Sequence, residues 1–182
     1  SSATSATYPA GGTYTVNAST TLYAVWKATG TPAPGTGGES VPVSAVVNAA
    51  LQLLYYNEGS YGSINKNDNG AVSIGKIQWH GNRALNLLKT IIKMDESAAK
   101  SILGETLYNE IKSSSDWSSR VVSASEATVL SNLLTTENGK KAQDTLATND
   151  VTVYIDHGRN LGITDTAALI YFADLENQGG YG

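Results

Sequence analysis

Residues 57–81 read NEGSYGSINKNDNGAVSIGKIQWHG, and the fold turns on how this stretch joins what precedes it. Upstream, Val43, Val46, Val47, Ala50, Leu51 and Leu54 recur at the spacing of one buried helical stripe. Ser40 is a plausible N-cap, with Pro42 in the first turn. Glu58 comes four residues after Leu54, so it continues the buried stripe at the point where the helix stops. Partial burial and the negative end of the helix dipole both favour the protonated acid. A carboxylic acid still protonated near neutral pH is what general acid cleavage of a glycoside requires.

SINKNDNGAVSIGKIQ then reads as strand, Asn/Asp/Gly turn and returning strand. On a continuous returning strand, Ser73, Gly75 and Ile77 share one face. Folded back over the helix end, the hairpin forms one wall of a cleft above Glu58, with Asp68 at its turn and Ser73 facing the acid. Downstream the pattern is helical over 82–94, 95–103, 105–113, 123–137, 140–147, 151–160 and 164–177. Ser123 with Glu126 three residues later is a capping-box signature. The expected fold class is mainly α (α+β): a helical domain over 41–182 with a small β-hairpin lobe.

The first 40 residues are of another kind, with Lys27 and Glu39 as their only charged side chains. GGTYTVNASTTLYAVWK suits two short strands within residues 1–27, and ATGTPAPGTGG opens a Gly/Pro/Thr linker spanning 28–40. YPAGGTYTVNASTTLYAVWK resembles the C-terminal end of a Listeria–Bacteroides repeat, a small β module of bacterial surface proteins. The chain opens on Ser1 without a charged-then-apolar leader, so a fragment of a longer protein is expected.

Composition narrows the chemistry. Hydrophobic residues make up 41% of the 182 and charged residues 15%, with no apolar run of membrane-spanning length. A net charge of −4 gives no general attraction for nucleic acid or anionic lipid. The absence of cysteine removes thiol nucleophiles and cysteine–zinc sites. His80 and His157 are too few for a zinc hydrolase, and Asp156-His157 lacks a nucleophile elbow. Asn65, Asn67, Asn69 and Gly70 imitate a calcium loop, but its twelfth position is Lys76. No metal and no cofactor are expected.

The segment Glu58, Asp68, Ser73-Ile74-Gly75 resembles the phage-type lysozymes of the lysozyme-like superfamily, which place a helix-ending glutamate before a hairpin bearing aspartate and Thr-Ile-Gly. Gly75-Lys76-Ile77-Gln78 is similar to the Gly-Leu-Met-Gln segment of goose-type lysozymes and lytic transglycosylases. The likeness covers about 25 residues; serine stands for threonine, and Lys76-Ile77 departs from Leu-Met. It implies a helical lobe and a β lobe flanking a glycan groove, with Glu58 as catalytic acid and Asp68 as nucleophile or electrostatic partner. It also implies a late helix returning to the groove, which makes Asn177 and Gln178 candidate substrate ligands in preference to Glu176 as a base.

Ser73 and Gln78 are candidates for positioning sugar or water. Trp79 offers a stacking face, with His80 beside it, and Tyr55, Tyr56 and Tyr61 flank the acid; Tyr61 is the candidate contact among them. The expected activity is cleavage of the β-1,4 bond between N-acetylmuramic acid and N-acetylglucosamine in peptidoglycan. The protein is expected to be a monomer, secreted, at the bacterial surface or phage-associated, with glycan strands as its partner. A lytic transglycosylase giving anhydro ends, a chitosan- or chitin-directed glycosidase, and a non-catalytic wall-binding module are the alternatives.

Overall fold

The computed structural model describes residues 41–179. The expected strand pair and linker, and the Ser40 cap, lie outside the described residues. Helix α1 runs from Val43 to Glu58, behind a Pro42 whose carbonyl accepts from the Ala45 and Val46 amides. Its stripe of Val46, Val47, Ala50, Leu51 and Leu54 is buried as the periodicity predicts. Val43 is not part of it: in the first turn, it stays 41% exposed.

Strand β1 (Ile64–Asp68) pairs antiparallel with β2 (Ala71–Ile74), Ile64 facing Ile74 and Asn65 facing Ser73. A bulge between Asn65 and Asp68 shifts the register, so Asp68 faces Ala71. Asn69 and Gly70 both take left-handed φ angles of 51° and 101°, which suits a two-residue hairpin turn. The returning strand is shorter than expected. It stops at Ile74, because Gly75 turns to φ 76° and its amide donates to Ser63 O at 2.8 Å. Residues 75–78 form a turn, so Gly75 and Ile77 do not continue the face of Ser73. A third strand, β3 (Trp79–His80), follows and pairs antiparallel with β2. All four residues of β2 are buried.

Helices α2 (Asn82–Met94), α3 (Glu96–Ser113), α4 (Ala124–Leu134), α5 (Glu137–Asn160) and α6 (Thr166–Gly179) complete the described chain. Gly104, at φ 75° and ψ 161°, breaks α3 into the two segments the sequence suggests. The Ser123/Glu126 capping box starts α4. By contrast, α5 is one continuous helix across residues 148–150, where a break is expected. There the Asp150 carboxylate accepts from Trp79 Nε1 at 2.8 Å and Arg83 Nη2 at 2.6 Å. Tertiary bonds thus override the poor helix propensity of Thr-Asn-Asp.

Helix α5 packs against α1, α2, α4 and α6, and α6 also packs on α1. The close approach of α6 needs Gly158, where a Cβ would lie 2.9 Å from Leu169 Cδ2 and 3.0 Å from Phe172 Cδ1. Further along, α6 meets the end of α1, where Asn57 Nδ2 lies 3.2 Å from each Asp174 oxygen. The chain is therefore mainly α with a small antiparallel sheet, and no helix among the described residues is long and apolar enough to cross a membrane.

Candidate functional site

An open cleft of about 620 Å³ lies where the end of α1, the hairpin and the end of α6 converge. It is lined by Glu58, Asp68, Asn69, Ile77, Gln78, His80, Asn177 and Gln178. Glu58 is the last residue of α1, half-buried, and no basic side chain occupies that last turn. Burial, the largest influence, pushes its pKa above the ordinary carboxylate value. The Asn177 amide works the other way by favouring the ionised form, while Asp174 and then Asp68 repel a second negative charge and add to the rise.

Asp68 ends β1 and reaches the cleft from the hairpin. Ser73 Oγ donates to its Oδ2 at 2.6 Å, and His80 Nε2 lies 2.9 Å from its carbonyl oxygen. Two carboxyl groups thus border one space in different settings. One sits half-sheltered on a helix end; the other is held by a buried hydroxyl.

Gln78 is fixed at φ 53°, and its Nε2 donates to Gly75 O at 2.9 Å. Asn177 Nδ2 donates to Ile77 O at 3.1 Å, which joins α6 to the 75–78 turn. Its Oδ1 is buried with no hydrogen-bond partner among the described residues. Gln178 Nε2 donates to Asp174 Oδ2 at 3.1 Å.

Three expected substrate contacts are elsewhere. Ser73 is fully buried and spends its hydroxyl on Asp68, so it positions that carboxylate instead of meeting a ligand. Trp79 is fully buried with its indole N–H on Asp150, which leaves no open face for a sugar ring. Tyr61 does not line the cleft. Its hydroxyl donates to both oxygens of Asp144 at 2.9 Å, and its ring lies 4.2 Å from Lys76 Nζ. Tyr55 forms the other wall of that cage, 3.4 Å from the same ammonium, and Tyr56 is 89% exposed without lining the cleft.

The 75–78 turn is anchored from below by Gln143, which is fully buried on α5. Its Oε1 accepts from the Lys76 amide at 3.1 Å, and its Nε2 donates to Leu134 O and Gly139 O. Neither Gln143 nor the cleft-lining Asn69 and Ile77 stand out as site residues in the sequence. An Asn-Gly turn and one glutamine in a helix look the same whether or not a site is nearby. Glu176 does not line the cleft; its Oε1 lies 3.0 Å from His157 Nδ1.

Among the described residues no group of three or more His, Cys, Asp or Glu side chains is placed to hold a metal ion. Asn67 Oδ1 is engaged by the Gly70 amide inside the hairpin turn. No family model matches the chain, and neither does any curated protein or solved structure.

Proposed function

We propose that residues 41–182 form a lysozyme-like glycosidase that cleaves the β-1,4 bond between N-acetylmuramic acid and N-acetylglucosamine in peptidoglycan. What supports this reading is one observation: Glu58 and Asp68, from a helix end and a hairpin, border the same open cleft with different surroundings. Glycoside cleavage needs one carboxyl group that keeps its proton and one that bears charge beside the developing oxocarbenium ion.

In this mechanism Glu58 gives its proton to the glycosidic oxygen as the C1–O bond breaks. Asp68, kept in place by Ser73, stabilises the cationic sugar or bonds to its C1. The Glu58 carboxylate then takes a proton from water as that water adds to C1, which releases the Asp68 carboxylate where it had bonded and restores the Glu58 acid. The four carboxamides of Asn69, Gln78, Asn177 and Gln178 suit the hydroxyl and N-acetyl groups of such a substrate. The proposed setting is the bacterial cell wall, reached by a secreted, surface or phage protein that acts as a monomer.

The test is turbidity loss of purified walls with wild-type protein and with Glu58→Gln, followed by mass spectrometry of the released muropeptides. Clearing by the wild type alone, with reducing ends, supports hydrolysis. Anhydro ends would instead make the enzyme a lytic transglycosylase. If both proteins are inert but co-sediment with walls, the domain is a binding module. Cleavage of chitosan or chitin in place of wall would redirect the substrate.

A further inference from the structure

Asp174 sits inside α6, four residues before Gln178, and only 8% of its surface is exposed. Among the described residues, every side chain bonded to its carboxylate is an amide. Asn57 Nδ2 lies 3.2 Å from each oxygen, and Gln178 Nε2 donates to Oδ2 at 3.1 Å. No ion pair among the described residues includes it. Buried carboxylates are ordinarily matched by a cation, because amide dipoles offset desolvation only in part. The two ends of this network are both at the cleft: Asn57 immediately precedes Glu58, and Gln178 lines the opening.

A purely structural tie between α1 and α6 would not need an anion. A neutral amide or hydroxyl could accept from Asn57 without the cost of burying charge. What only a carboxylate adds is repulsion of a second negative charge nearby. We propose that Asp174 is the positioning residue of this cleft, a buried carboxylate that fixes the Glu58-bearing end of α1 to α6 and sets its charge behind that end.

The other charged groups around Glu58 do not do this as well. From the hairpin, Asp68 is turned toward the Ser73 hydroxyl. From β3, His80 is tied to the Asp68 carbonyl. On α6, Glu176 is engaged by His157 of α5, and Asp144 of α5 is matched by Lys76. The catalytic meaning of the proposal rests on the glycosidase reading; the charge coupling does not.

The experiment follows the carboxyl carbon of Glu58 by NMR across pH, in wild type and in Asp174→Asn, alongside the pH profile of wall clearing. Asp174→Asn keeps an oxygen for Asn57 but removes the charge. The Glu58 midpoint is expected to fall, and the alkaline limb of clearing to move toward acid by the same shift. An unchanged Glu58 midpoint overturns the proposal, whatever the activity. Should Asp174→Asn not fold, Asp174→Ser, which also keeps an oxygen for Asn57 and carries no charge, takes its place, and an unchanged Glu58 midpoint there overturns the coupling. If the midpoint falls in a protein whose wild type clears no wall, the coupling stands and the glycosidase reading fails.

Discussion

Ser73 Oγ, with no solvent exposure, donates to the cleft-facing Asp68 carboxylate at 2.6 Å across the hairpin. The bulge before Asp68 sets it opposite Ala71, two residues before Ser73 on the same face of β2, so the Ser73 hydroxyl reaches the Asp68 side chain diagonally. Hydrogen bonds to a carboxylate are shorter and stronger than neutral ones, and this one selects a single direction for a half-exposed group. Ser73→Ala is therefore predicted to cost about 1–3 kcal/mol in urea unfolding. In wall clearing it should lower kcat about tenfold or more with little change in KM, since Ser73 does not touch the cleft. An unaltered kcat would mean that Asp68 needs no holding.

Glu58→Gln should separate activity from stability. Removing a general acid costs a factor of roughly 10² to 10⁴. The pKa of Glu58 is raised in the folded state, mainly by burial. The native protein thus binds more protons than the unfolded chain between the ordinary glutamate pKa and the raised one, and its stability falls as pH climbs through that window. Below the ordinary value the contribution is fully favourable; above the raised value it has been lost. Gln has no charge to bury, so the variant should gain on the wild type as pH rises through the window and match it in acid. Thermal melts across pH read this difference, and parallel curves would show that Glu58 is not perturbed.

The α1 stripe, the capping box of α4 and the Asn-Gly turn were legible because each is written within a few neighbouring residues. Glu58 belongs with them, since its place at the helix end follows from the stripe alone. Trp79 and Tyr61 illustrate the opposite case. Their types suit a sugar-binding wall, but direction is set by partners far along the chain: Asp150 is 71 residues from Trp79, and Asp144 is 83 from Tyr61. Asp174 reads as a helix-end polar residue until Asn57, 117 residues away, makes it part of the acid's surroundings. Strand β3 has two residues, too few for any period to register.

Gly75 marks where the expected long strand turns instead. A Cβ there would stand 2.5 Å from Gln143 Oε1 and 3.0 Å from the Trp79 ring, at a φ of 76° that side chains rarely adopt. Gln143 is fully buried and already bonded to the Lys76 amide and two carbonyls, so it has little room to withdraw. Gly75→Ala is predicted to lose about 1–3 kcal/mol in denaturant melts, from strain and a disturbed polar network. Displacement of Ile77 and Gln78 should also raise KM for wall substrate. Full stability in this variant would show that the 75–78 turn is freer than its contacts imply.

Lys76 holds the same turn from its outer side. Its ammonium lies 3.4 Å from the Tyr55 ring centre, 4.2 Å from that of Tyr61 and 3.2 Å from Asp144 Oδ1, with the side chain 14% exposed. Cation–π contact of a partly desolvated ammonium contributes roughly 0.5–2 kcal/mol, while Asp144, 49% exposed, regains water easily when its partner is removed. Lys76→Met keeps most of the stem packing and discards the charge, so about 1–2 kcal/mol should be lost, chiefly from the aromatic cage. Lys76→Arg should not restore it, because a planar guanidinium does not fill a space shaped around a compact ammonium. Raising the salt concentration should leave the wild-type advantage over Lys76→Met largely intact, as the cage is only partly reached by solvent. A difference that vanishes at 1 M salt would instead assign the stabilisation to the exposed Asp144 pair.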